Sequence, residues 1–197
     1  MKRIILAILA IAIGLYPLFY LVTLDKVGLL QTKSDALWAA TTYKAGFYTH
    51  VLFGGIAMLL GWAQFMPGWR RRFPQRHRQM GKGYVLAAIP ASLAGVYLSF
   101  YAEGGLVGKT GFFLLGWIFL ITTLLAYSAA KKQDFVAHER WMIYSYAACF
   151  AAVTLRLWMP ILVPLFGSFT PAYQVVAWLC WVPNMLFAWW KTRHLAN

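Results

Sequence analysis

Six apolar runs, each about 18–25 residues long, divide this sequence, and that repeat leaves few folds open. They are Ile4–Val22, Lys44–Met66, Tyr84–Tyr101, Thr110–Ala130, Phe135–Met159 and Ala172–Trp190. Wound as helices at about 1.5 Å per residue, such runs cross about 30 Å of hydrocarbon. No period-two alternation appears, so strands are excluded, and in lipid a helix is what satisfies each backbone polar group within its own segment. The chain is 61% hydrophobic and only 12% charged, against about 25% charged in a soluble domain. The expectation is an all-α integral membrane protein, a six-transmembrane-helix bundle forming one membrane domain over its 197 residues.

Charge then orients the bundle. The connection Gly68–Gly83 holds Arg70, Arg71, Arg72, Arg76, Arg78 and Lys82 and no acid. With six spans, alternate connections share a side. Lys2 and Arg3, this loop, Lys131, Lys132 and Arg140, and the tail residues Lys191 and Arg193 all fall together. The other side has Lys26, Lys33, Lys44 and Lys109. Basic residues near span ends stay inside, so both termini are expected in the cytoplasm. The net charge of +13 is therefore a topology signal that also attracts membrane lipid, and nucleic acid is not an expected partner.

Local signals refine this frame. The first run ends in Tyr16, Phe19 and Tyr20 without a small-residue cleavage site, and reads as an uncleaved anchor. Leu24–Tyr43 reads as a mixed-charge loop containing Asp25, Lys26, Lys33 and Asp35. Asp134 is placed to cap a helix starting at Phe135, and Pro160 to stop it. Cys149 and Cys180 lie inside apolar runs as small buried hydrophobes. Gly54, Gly55 and Gly61 form a close-packing stripe, while Gln64 and Asn184 read as amide glue between helices. Tryptophans near span ends, among them Trp38, Trp69, Trp141, Trp158, Trp189 and Trp190, read as an interfacial belt. Arg78-x-Met80-x-x-x-Tyr84 recurs as Arg140-x-Met142-x-x-x-Tyr146, a faint internal repeat.

Chemistry rests on few residues. His77 and His138 open spans three and five on the same side, and two imidazoles on parallel helices are what axial haem ligation uses. Arg78 and its neighbours suit haem propionates. The structural alternative, two interfacial histidines among headgroups, stays open. His50 and Arg156 lie inside spans in the outer half, where ionisable groups face a cavity or the bundle interior. With Tyr48 and Glu103 they outline an outer ligand pocket, or else a set of helix-to-helix ties. No phosphate-cradling glycine loop, serine elbow, HExxH or carboxylate dyad occurs, so no catalytic residue is named.

Several of these residues also stand in a recognisable order. His50, Gly54, Gly61 and Gln64 are followed by Arg72-x-x-x-x-His77-Arg78-x-x-Gly81-x-x-Tyr84. Then come His138-x-x-Trp141-Met142, Ser145-Tyr146-Ala147 and Thr154-Leu155-Arg156. Over Thr49–Pro160, and more loosely at Trp181–Asn184, this resembles a bacterial family of multi-pass membrane proteins known as a domain of unknown function. Glu139-Arg140 departs from it where a second basic residue after the histidine is usual. The resemblance implies an inner-membrane location and kinship with transmembrane b-type cytochromes. Three functions are thus expected as alternatives: a redox protein binding one b-type haem or a quinone through His77 and His138, a small-ligand or lipid binding or transport protein using His50 and Arg156, or an assembly factor without catalysis.

Overall fold

The computed structural model describes residues 2–23, 26 and 28–195; Asp25 of the mixed-charge loop lies outside them. Among the described residues every regular element is helical. Contacts divide the chain into two units, one up to Leu98 and one from Ser99.

The first unit begins with α1 (Lys2–Leu15) and α2 (Pro17–Thr23), an apolar run interrupted at Tyr16 because Pro17 brings no N–H. A 3₁₀ turn (Gly28–Thr32) and α3 (Asp35–Ala39) fill the stretch expected to be loop. Ser34 caps α3 by accepting from the Leu37 amide, and Lys26 Nζ clamps the stretch through Lys33 O at 2.7 Å and Asp35 Oδ1 at 2.6 Å. Tyr20, Leu30, Tyr43 and Phe47 form a buried aromatic-rich cluster beneath it.

α4 (Thr41–Gln64) and α6 (Pro74–Ser99) then run antiparallel along a seam of small residues. An ideal Cβ on Gly46 would lie 2.7 Å from the Tyr97 ring, and one on Gly83 3.0 Å from Leu60. Close backbone approach is how membrane helices gain packing contacts when lipid is as apolar as leucine. Between them lies α5 (Pro67–Arg72). The expected basic loop Gly68–Gly83 is therefore helical apart from Phe73, and the helix carrying the third apolar run starts at Pro74 rather than Tyr84. Proline at a helix's first position loses no hydrogen bond and presets the backbone, so polarity alone did not keep this stretch open.

The second unit is built on the hairpin of α7 (Gly105–Lys131) and α8 (Phe135–Cys149). Its turn puts Gln133 at φ 61° and Asp134 at the cap, accepting from the Ala137 amide at 3.0 Å. The start at Phe135 is as the sequence indicates. Next come α9 (Ala151–Phe166), α10 (Phe169–Leu179) and α11 (Val182–Thr192). Run five does not stop at Pro160: α9 continues through Pro160 and Pro164 to a left-handed Gly167, which ends it. The interruption lies instead at Phe150, where Val153 N–H turns back to the Phe150 carbonyl in a 3₁₀ step. Run six is cut at Cys180–Trp181, just before Pro183 in the first turn of α11.

By length and apolar composition, four helical stretches suffice to cross a membrane: Ile4–Thr23, Thr41–Gln64, Gly105–Lys131 and Phe135–Phe166. The third expected span shares its helix with the basic turns after Pro74, and the sixth is two pieces of 11 residues each. The exterior is apolar to match: Leu86 is 72% and Leu165 72% exposed, while alanines crowd the buried positions.

Candidate functional site

In the second unit the α7–α8 seam holds two polar ties. Thr123 and Ser145, both fully buried, share a hydrogen bond of 2.7 Å. About two turns further along α8 toward its N-terminus, His138 Nδ1 lies 2.8 Å from the Ala126 carbonyl oxygen. A carbonyl can only accept, so Nδ1 carries a proton, and in the neutral ring Nε2 then holds the lone pair. The ring is thereby oriented from α7, while Asp134 fixes the start of its own helix one turn earlier. Arg140, two residues on, lays its guanidinium 5.1 Å from the Trp141 ring centre.

A second polar group joins the two helix interruptions. Asn184 Nδ2 reaches the Ala147 carbonyl at 3.2 Å, the Cys180 carbonyl at 3.0 Å and Thr154 Oγ1 at 3.3 Å. Thr154 also donates to the Cys180 carbonyl. Interrupting a helix strands carbonyls, and in lipid these must find donors inside the protein. One amide on α11 thus serves α8, α9 and α10 at once. Asn184 is the amide glue that the sequence indicates, and Pro183 beside it is the local sign of the interruption it serves. Cys149 and Cys180, both buried and free, stand at the same interruptions. Nearby an open apolar groove of about 560 Å³ is lined by Val107, Val175, Trp178, Leu179, Val182 and Pro183 with Gln174. Its polar donors are engaged, Gln174 with the Gly104 carbonyl and Trp178 with that of Val107.

The other expected site residues divide between the units. In the first, His50 Nδ1 donates to the Ala91 carbonyl at 2.8 Å, its ring lying against Gly95, whose added Cβ would stand 3.1 Å from it. Tyr48 packs in the aromatic cluster, 5.5 Å from Phe47 and 6.4 Å from Trp38. His77 and Arg78 lie early in α6, the His77 amide bonding to the Phe73 carbonyl. In the second unit, Glu103 precedes the left-handed pair Gly104–Gly105 that starts α7. Arg156 Nη1 donates to the Ala152 carbonyl of its own helix at 2.8 Å. Among the described residues no three His, Cys, Asp or Glu side chains gather as a metal-binding group.

A family of predicted membrane proteins, the domain of unknown function DUF2306, matches residues 47–192. The chain belongs to the DUF2306 family. The family's region runs from within α4 through α11, and so includes both oriented histidines and the Asn184 network. Comparisons with the curated proteins and with the solved structures each return no match.

Proposed function

We propose that this DUF2306 protein is a redox protein of the bacterial inner membrane that binds one b-type haem, or a quinone, through imidazole. In this reading the chain crosses six times, α6 and the α10–α11 pair supplying the two further passes, with both termini cytoplasmic. The kinship with b-type cytochromes implied by the motifs around His77 and His138 belongs to the same proposal.

One observation supports it above the others: the His138 Nδ1–H bond to the Ala126 carbonyl at 2.8 Å. Histidines that ligate metals generally donate their other ring N–H to a carbonyl or carboxylate, which sets the tautomer, aims the ring and raises ligand basicity. Haem needs one or two axial nitrogens rather than a cluster of side chains, so this donor chemistry fits it. A bound haem would supply one-electron transfer at iron. His138 would offer Nε2, and His77 and Arg78 remain the first unit's candidates for ligation and propionate pairing.

The test is the visible absorption spectrum of detergent-purified protein expressed with a haem supply. A Soret band lost in His138→Ala, and weakened or lost in His77→Ala, is expected. A colourless preparation removes the haem reading, and organic extraction of that preparation then decides whether a quinone copurifies.

A second reading has its own support. The bonds of His50, His138 and Asn184 described above end largely on backbone carbonyls of other helices, as they would in an assembly factor whose polar groups only hold helices together. Under it, alanine at these positions lowers thermal stability without releasing any bound molecule. Binding of a small anionic or lipidic ligand that uses His50 or Arg156 remains a separate proposal, tested by thermal shift against anionic and lipidic compounds with His50→Ala and Arg156→Ala as the controls.

A further inference from the structure

The first unit turns from α4 into α6 through a cationic joint, and the geometry there points to a bound anion. We propose that the joint Trp69–Arg76 binds the phosphate of an anionic phospholipid headgroup. Between Asp35 and Glu103 the sequence contains no acid, while Arg70, Arg71, Arg72, Arg76, Arg78 and Lys82 are all exposed. Arg72 and Arg76 carry their guanidinium carbons 5.4 and 5.0 Å from the centre of one ring, that of Phe73. Two like charges on a single aromatic platform repel each other, and a shared anion reverses the sign of that interaction.

The platform continues into Trp69, whose ring centre is 5.3 Å from that of Phe73. Trp69 Nε1 is buried and makes no hydrogen bond among the described residues. The same holds for Gln64 Nε2 at the end of α4, across the turn at Phe65–Met66. Buried donors nearly always have acceptors, so a donor left over on a ring packed against the platform of two guanidiniums points to acceptor oxygens there. Guanidinium forks and an indole N–H suit the oxygens of a phosphodiester.

Depth selects the source. Gln64 ends a helix apolar enough to span a bilayer, and α5 follows after two residues. The joint therefore lies at the membrane boundary, where the negative surface of anionic lipid is concentrated and free phosphate is not. This proposal is independent of the haem reading, since it uses neither His77 nor His138.

The experiment places the full chain in nanodiscs of phosphatidylcholine, with or without phosphatidylglycerol, and measures retained lipid by native mass spectrometry. Phosphatidylglycerol is expected to be retained selectively, with apparent affinity falling about tenfold in the double variant Arg72→Lys/Arg76→Lys, which keeps net charge but removes the planar forks. Trp69→Phe keeps the ring and loses the N–H, and is expected to weaken retention several-fold. Lys131→Ala/Lys132→Ala in the second unit should leave it unchanged. The proposal is overturned if the lysine variants retain as much lipid as wild type, or if neutralising Lys131 and Lys132 has the same effect. It is also overturned if millimolar inorganic phosphate displaces phosphatidylglycerol from the protein in the mixed discs. Should the double variant not fold, Trp69→Phe alone decides the matter by the same readout.

Discussion

Asn184 shows how much one amide can hold in a membrane protein. Its Nδ2 serves the Ala147 and Cys180 carbonyls and Thr154 Oγ1, so truncation removes a shared donor from α8, α9 and the C-cap of α10. Asn184→Ala is expected to destabilise by about 1–2 kcal/mol, the range for polar contacts between membrane helices, read as a lowered unfolding midpoint in detergent. Thr154→Val, which removes the donor to Cys180 at nearly constant volume, should act in the same direction and less than additively with it, because the two share partners. At the other end of the chain, Lys26 holds the Asp35 carboxyl below its ordinary value of 3.8 by a hydrogen bond and by its charge. A depressed carboxylate contributes stability that is present above the unfolded value and disappears as pH falls through the folded one. The stretch from the 3₁₀ turn to α3 should therefore loosen below about pH 3.8, seen as faster amide exchange than at neutral pH after intrinsic correction. Asp35→Asn should show the loosened behaviour at every pH.

At the scale of helices, close packing depends on which glycine faces a neighbour. The stripe Gly54, Gly55 and Gly61 suggests equivalent positions, yet Gly54 faces open space and a Cβ on Gly55 would stand 2.6 Å from the Gly14 carbonyl oxygen. Gly55→Ala is expected to cost about 1–3 kcal/mol by forcing α1 and α4 apart, while Gly54→Ala should be neutral or slightly stabilising, as alanine replaces glycine in a helix. Paired thermal unfolding of the two variants checks this. Gly111 has the same role between α7 and α10, where an added Cβ would lie 2.7 Å from the Ala177 carbonyl. The interruptions at Phe150 and Cys180 belong to this scale too. Each shortens a run that composition presents as continuous, and the Asn184 amide supplies donors to the carbonyls beside them.

For the whole molecule, the proposed topology makes a direct prediction. Both native cysteines are buried, so a single exposed cysteine can be labelled against a silent background. Gln31→Cys, in the 3₁₀ turn, is expected to react with an impermeant maleimide from outside the inner membrane. Gln75→Cys, in the first turn of α6, should react only after the membrane is opened. The reverse pattern would overturn the orientation derived from the basic residues.

The amino-acid sequence alone determined that this chain is helical and lipid-facing, because long apolar runs have few ways to satisfy their backbone in hydrocarbon. It also determined where α8 starts, since Asp134 caps within its own turn, and that Cys149 and Cys180 are buried. Those features depend on neighbours within a few residues or on the solvent. Only the tertiary structure decided that Phe150 rather than Pro160 interrupts run five, that Gly55 rather than Gly54 is a close contact, and that His138 is oriented by the Ala126 carbonyl. The last two turn on an atom from another helix, and beside Phe150 the Ala147 carbonyl takes its donor from Asn184. A local pattern holds no record of which partner will arrive, so these details emerged with the packing.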